Sequence, residues 1–234
     1  MKLLLAAAFG LTVLTTVPAA AAVVTYDALA AFTDQSSTSG PFTFGSVTGS
    51  TFSAFPTGGA CLLQNTTCLT SGDYLGVYKS IDGAAHPGSG TVDVPGDALI
   101  LHPGATGAVA AIFFTAPTSA VYNFSLSAFQ ATNVNANSVQ LFGYSGFADS
   151  AFPSATLTAA SPTYGFSFPA LYLAAGQTIG IGVGYDGNYQ YDATGVRFTL
   201  TTDAVPEPAS WALMIVGFGA VGAMTRRRRA LSLA

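Results

Sequence analysis

From residue 41 to residue 201 the chain never sustains a helical pattern. Short apolar runs are broken at intervals of roughly ten to twenty residues by Gly, Pro, Asn and Asp, the rhythm of strands joined by turns. The candidate strands are one or two within 41–55, then 74–78, 97–101, 109–114, 120–130, 138–144, 163–168, 178–185 and 195–201. A helical reading exists only briefly before them, where Tyr26, Leu29 and Phe32 recur at spacing three. No helices alternate with the strands, which argues against a parallel α/β sheet. The expected class is all-β, a jelly-roll-like β-sandwich, and no internal repeat is visible.

Charge narrows the partners. The stretch between residues 23 and 203 holds two cationic side chains, Lys79 and Arg197, against ten aspartates; Glu207 is the sole glutamate of the chain. A phosphate footprint needs a basic stripe, so nucleic acid is excluded as a partner, and an anionic membrane surface with it. About 180 residues suffice for one sizeable core. Cys61 and Cys68 close the short segment Cys-Leu-Leu-Gln-Asn-Thr-Thr-Cys. In an oxidising compartment this is most simply a disulfide that holds one loop or hairpin in shape.

Both ends read as addresses. Met1-Lys2, an apolar stretch to Val17, and Pro18 to Ala22 ending in Ala20-Ala21-Ala22 form a Sec-type signal peptide, with cleavage expected after Ala22 or one residue earlier. At the other end Val205-Pro206-Glu207-Pro208 forms an extended, non-helical arm, because each proline fixes its own φ and restricts the residue before it. From Ala209 to Thr225 no residue is charged. As a helix this stretch is about 26 Å long, near the lower limit for a single transmembrane helix. Trp211 suits the lipid–water interface, and Arg226, Arg227, Arg228 and Arg229 form a cytoplasmic stop under the positive-inside bias.

Those residues carry a resemblance. The tail resembles the PEP-CTERM sorting domain of exported bacterial proteins in its Pro-Glu-Pro-x-x-Trp-Ala form, with motif, tryptophan, glycine-containing span and arginine cluster all present. The same tail is sometimes labelled an ice-binding-protein C-terminus, a label that describes the tail alone. The resemblance implies recognition by an exosortase, a membrane transpeptidase, with processing near Pro206 to Pro208. It further implies an inner-membrane-anchored precursor with its body in the periplasm, and a mature form at the cell surface or outside the cell. The Sec translocon and a signal peptidase would act first. A second, weaker resemblance spans residues 98–202. Leu101-His102-Pro103-Gly104, Ala116-Pro117 with Tyr122, Ala175-Gly176 before Thr178, and the Asp-rich turn from Tyr185 to Gly195 look like the strand starts and turns of carbohydrate-binding-module-like jelly rolls. It implies a fold more than a ligand.

The expected organisation is therefore a signal peptide at 1–22, a β-rich part with the disulfide loop at 23–96, a sandwich core at 97–203, and the sorting domain at 204–229. Two features of the core invite a site. Asp186, Asn188 and Asp192 set oxygen-bearing side chains at alternating positions, as a Ca2+ ion would use, although Ca2+ takes six to eight oxygens and about half are supplied locally. The simpler reading is a tight turn with Asx geometry and no cofactor. Tyr185, Tyr189 and Tyr191 offer a sugar-stacking platform, or else half-buried strand residues. His86 and His102 each precede Pro-Gly and read as turn openings. With no glutamate in the body and no Gly-x-Ser-x-Gly elbow, no catalytic residue is assigned. The expected function is a non-enzymatic surface or matrix protein, the alternative a module that binds extracellular polysaccharide.

Overall fold

A computed structural model describes residues 23–134, 138–146, 148–149, 154–203 and 214–223, with Arg226. Val23–Asp203 is one compact unit, and the chain on either side of it falls outside that unit. In chain order its elements are β1 (Val23–Asp27), α1 (Ala28–Ala31), β2 (Thr38–Ser39), β3 (Phe42–Thr48), β4 (Thr51–Ala54), β5 (Thr66–Gly72) and β6 (Leu75–Ser80). Then follow β7 (His86–Ser89), β8 (Val92–Val94), β9 (Leu99–His102), β10 (Val109–Thr115), β11 (Ala120–Gln130) and β12 (Val139–Ser145). The last are β13 (Ala148–Asp149), β14 (Ala155–Leu157), β15 (Thr163–Leu173), β16 (Thr178–Tyr185) and β17 (Thr194–Asp203).

Two antiparallel sheets face each other. One runs β15-β11-β17-β9-β6-β5 with β1 added to β17; the other runs β13-β12-β16-β10-β3-β2 with β14 on β12 and β4 on β3. From β9 onwards the chain changes sheet at each long connection, the winding of a jelly roll. Residues 23–96 thus contribute β3 and β6 to the same sheets as the later strands.

Period-two alternation explains where the core lies. Phe42 and Phe44 of β3, Ile112 and Phe114 of β10, and Ile181 and Val183 of β16 meet Val77 of β6, Leu99 and Leu101 of β9, and Val196, Phe198 and Leu200 of β17. The outer face of the first sheet carries a second cluster built on Tyr78, Ile100 and Ala193, covered by Leu63, Cys68 and the β7–β8 hairpin residues Val92 and Val94. On the outer face of the other sheet Val47, Ala111, Phe113 and Tyr144 pack with Phe52 and Phe142. Glycine makes room there: a methyl at Gly182 of β16 would stand 2.9 Å from the Tyr144 ring.

Several short strands, among them β1, β7 and β8, fall outside the expected runs, His86 beginning β7 where a turn opening was expected, and two departures have a clear physical cause. The helix is a single turn that starts two residues later than the Tyr26–Phe32 spacing suggests. Tyr26 is a strand residue paired with Leu200, its ring 5.2 Å from that of Phe114, so sheet pairing outweighs the local spacing. Asp27 then caps the turn, its Oδ1 accepting from the Leu29 amide at 2.8 Å. β5 carries Leu69 as its only large aliphatic residue. It is held by threonines, Thr66 Oγ1 donating to the Leu63 carbonyl at 2.7 Å and Thr70 Oγ1 to that of Leu75 at 2.8 Å. The expected disulfide is present: Cys61 and Cys68 are joined with their Cα atoms 5.6 Å apart, and they tie the 61–65 segment to β5. A ring this short is worth on the order of 2–3 kcal/mol.

The signal-peptide expectation at 1–22 lies outside the described residues. So does most of the sorting region, including Val205, Pro206, Glu207, Pro208, Trp211, Arg227, Arg228 and Arg229. Residues 214–223 are helical and exposed, as is Arg226. Among the described residues no helix is long and apolar enough to cross a membrane.

Candidate functional site

The β5–β6 hairpin turns in two residues, Asp73 and Tyr74, since Gly72 pairs with Leu75. Both turn residues have positive φ, 46° and 62°. A two-residue hairpin of this hand favours glycine at its second position, so Tyr74 occupies backbone that costs a tyrosine about 1–2 kcal/mol. The buried Tyr78 holds the turn from beneath, its hydroxyl donating to the Tyr74 carbonyl at 2.7 Å. Burial pushes the Tyr78 phenol up to about 12, so it remains a donor. Tyr74 is 40% exposed, with its ring 5.5 Å from the imidazole of His102.

His102 ends β9 and is 5% exposed. Its Nδ1 lies 2.8 Å from the Pro103 carbonyl oxygen, which can only accept; Nδ1 therefore carries the hydrogen, and Nε2 of the neutral ring is an acceptor. Burial holds the ring below its ordinary pKa, partly opposed by the Pro103 contact. On its other side Tyr189 approaches edge-on, with ring centroids 6.4 Å apart.

Tyr189 and Tyr191 belong to the loop between β16 and β17 rather than to a strand. Tyr191 has φ of 64° and is 42% exposed. The two loops and the end of β9 enclose a cleft of about 270 Å3, lined by Tyr74, His102, Tyr189, Tyr191 and Gln190, with Leu63, Thr91, Val92 and Ala193 completing its walls. That volume is close to the lower end of ordinary small-molecule sites, about 300 Å3, and suits a single ring more than an extended ligand. Among the described residues, none that line it is an acid, a lysine or an arginine.

The sequence-level platform is thus regrouped. Tyr189 and Tyr191 share the cleft, whereas Tyr185 closes β16 on the other sheet and does not line it. Tyr74 and His102 were not singled out for this site: they come from more than eighty residues upstream, and only strand pairing brings them in. His86 sits apart in β7, with its Nε2 2.8 Å from Asp82 Oδ1.

The Asp-rich turn divides as well. Asp186 and Asn188 form an isolated bridge around Gly187, whose φ is 93°. Asn188 Oδ1 accepts from the Gln190 amide at 2.9 Å, the geometry of an Asx turn. Asp186 Oδ1 accepts from Gln140 Nε2 at 3.3 Å. Asp192 is different: it is fully buried, and neither carboxylate oxygen has a hydrogen-bond partner among the described residues. Burial pushes its carboxyl up to about 7, and the charge of Asp186 adds to the rise. Among the described residues no three of His, Cys, Asp and Glu gather as a metal cluster.

Fold and cleft together define a jelly-roll-like β-sandwich with an aromatic pocket at one end. The tail identifies its handling: residues 204–229 match the PEP-CTERM protein-sorting motif. The chain thus carries a PEP-CTERM sorting motif at its C-terminal end, which supports export and sorting by an exosortase. No curated protein matches it. Solved structures similar to it include CBM51-2 of Clostridium perfringens ZmpB in complex with GlcNAc, at 12% identity over 44% of this chain and 21% of that one, TM-score 0.32. Another is the Podospora anserina GH26-CBM35 β-(1,4)-mannanase, at 13% identity over 80% and 28%, TM-score 0.30. A third is the N-terminal cellulose-binding domain of Cellulomonas fimi β-1,4-glucanase C, at 15% identity over 53% and 89%, TM-score 0.23. The chain spans less than a third of the length of the first two. At these scores the likeness carries no argument about ligand.

Proposed function

We propose that this chain is a non-enzymatic surface or matrix protein, handed from the Sec translocon and signal peptidase to an exosortase, whose sandwich binds a neutral sugar of extracellular polysaccharide. The observation that supports this reading is the cleft, in which three tyrosines from two loops far apart in sequence surround a neutral histidine. Two of the three are held at positive φ, where a tyrosine is strained. Tyrosine faces stack on the apolar faces of pyranose rings, while the His102 Nε2 acceptor and the Gln190 amide suit hydroxyl groups. Among the described residues, the lining carries no acid, lysine or arginine, and the body is acidic. Both favour an uncharged glycan over an anionic one.

The test is binding of the full chain, in detergent, to a panel of immobilised neutral and acidic polysaccharides. Tyr191→Ala and Tyr74→Gly are the variants. Glycine relieves the turn at position 74, so Tyr74→Gly should melt no lower than the parent yet lose at least tenfold in glycan affinity. Unchanged binding by both variants refutes the cleft as the site. Binding to acidic polymers alone refutes the assigned ligand class.

A further inference from the structure

Asp192 stands two residues before β17, on the same parity as the core residues Val196, Phe198 and Leu200. A fully buried carboxylate whose two oxygens have no partner among the described residues is among the most costly arrangements a fold can contain, and it is relieved by protonation or by a countercharge. This chain has almost none to give. Lys79 Nζ donates to the Leu29 carbonyl at 3.0 Å, and Arg197 is forked onto Asp97 at 2.7 and 2.8 Å. Every other Lys and Arg belongs to the targeting ends.

We infer that Asp192 anchors a structural site for a calcium-type divalent cation, completed by Asp186 and by neutral oxygens beside it. Asp186, exposed at the start of the same β16–β17 loop, is the acid whose charge acts on Asp192. It brings a carboxylate oxygen not used by Gln140, and the Gln140 side-chain amide, bonded to Asp186, is a further source of a neutral oxygen ligand. An all-oxygen donor set with two carboxylates and no thiolate or imidazole selects a hard cation, and irregular loop geometry selects Ca2+ over Mg2+. Asn188, with its oxygen committed to the turn, is not needed as a ligand. The ion would fasten the β16–β17 loop that carries Tyr189 and Tyr191, but the inference does not depend on what those tyrosines bind.

Thermal melting of the full chain in detergent, in Ca2+ and in EGTA, tests this. Ca2+ at about 2 mM exceeds the affinity range of about 10⁻⁴–10⁻³ M typical of extracellular calcium modules, and should raise the Tm of the parent by about 1–7 °C. Mg2+ should not. Asp192→Asn removes the buried charge, so in EGTA it should melt at or above the parent and show no rise with Ca2+. Tb3+ luminescence sensitised by the nearby tyrosines should appear with the parent and be lost in Asp192→Asn and Asp186→Asn. Equal melting of the parent in Ca2+ and EGTA overturns the site, as does an equal rise with Mg2+. A Ca2+ response preserved in Asp192→Asn means an ion elsewhere on the acidic surface and overturns it too. Should Asp192→Asn fail to fold, the Tb3+ signal of the parent against Asp186→Asn decides in the same sense.

Discussion

Gly195→Ala is the sharpest probe of how the outer face of the first sheet is packed. Gly195 of β17 lies directly across from Phe129 of β11. A methyl at this position would overlap the Phe129 ring, whose Cε1 would stand 2.7 Å away. The ring has no easy retreat, since the Arg197 guanidinium lies over it at 4.9 Å from the centroid and is itself paired with Asp97. Overpacking of this kind costs about 1–3 kcal/mol, and displacing the ring from an exposed guanidinium adds about 0.5–1 kcal/mol. The Arg197–Asp97 pair is largely exposed and is counted as nothing. Replacing glycine by alanine in a strand returns about 0.5–1 kcal/mol through the backbone. The net is a loss of about 2 kcal/mol, or about 4–8 °C in Tm for a domain of this size. The assay is a double-mutant cycle by thermal and denaturant unfolding with Phe129→Ala as the second change. In the Phe129→Ala background Gly195→Ala should be neutral or slightly stabilising. Strict additivity of the two substitutions, or a higher Tm for Gly195→Ala alone, would refute the packing argument.

Two further outcomes are expected. The His102 ring, followed by NMR across an acid titration, should have its midpoint below the ordinary value of about 6.5. The stability its neutral form contributes is present above about 6.5 and is lost as pH falls towards the lower native value; a midpoint at or above about 6.5 refutes the burial argument. Glu207→Ala or Pro208→Ala, expressed in a host with an exosortase, should accumulate as an unprocessed membrane-associated precursor on immunoblots of fractionated cells, and normal maturation would show that the motif is not read.

Strands that are apolar on alternating or successive positions were legible in advance: β10, β11, β16 and β17 fall within a few residues of the runs at 109–114, 120–130, 178–185 and 195–201. β5 was not, because its threonines satisfy themselves by bonding to local carbonyls, a property that hydrophobic periodicity does not register. The disulfide followed from spacing and compartment. Half of the aromatic cleft followed as well: Tyr189 and Tyr191 were visible as a local pattern, but Tyr74 reaches them only through the β5–β6–β9–β17 order of the sheet. Tyr185 shares their spacing and belongs elsewhere, because β16 ends there and the loop begins. The sequence groups Asp192 with Asp186 and Asn188, as Ca2+ ligands or as turn residues, without a sign that it is buried. Its burial depends on the two-residue alternation of β17 extending backwards past the strand's formal start, which composition cannot disclose.

Val23 and Asp203 are cross-strand partners, and β17, the last strand of the unit, lies between β11 and β9 rather than at an edge. The sheet therefore cannot close until the ten residues of β17, Thr194–Asp203, are in place. Closure then brings the two ends of the sandwich to one corner. Val23 and Asp203 stand side by side only after that last strand has paired.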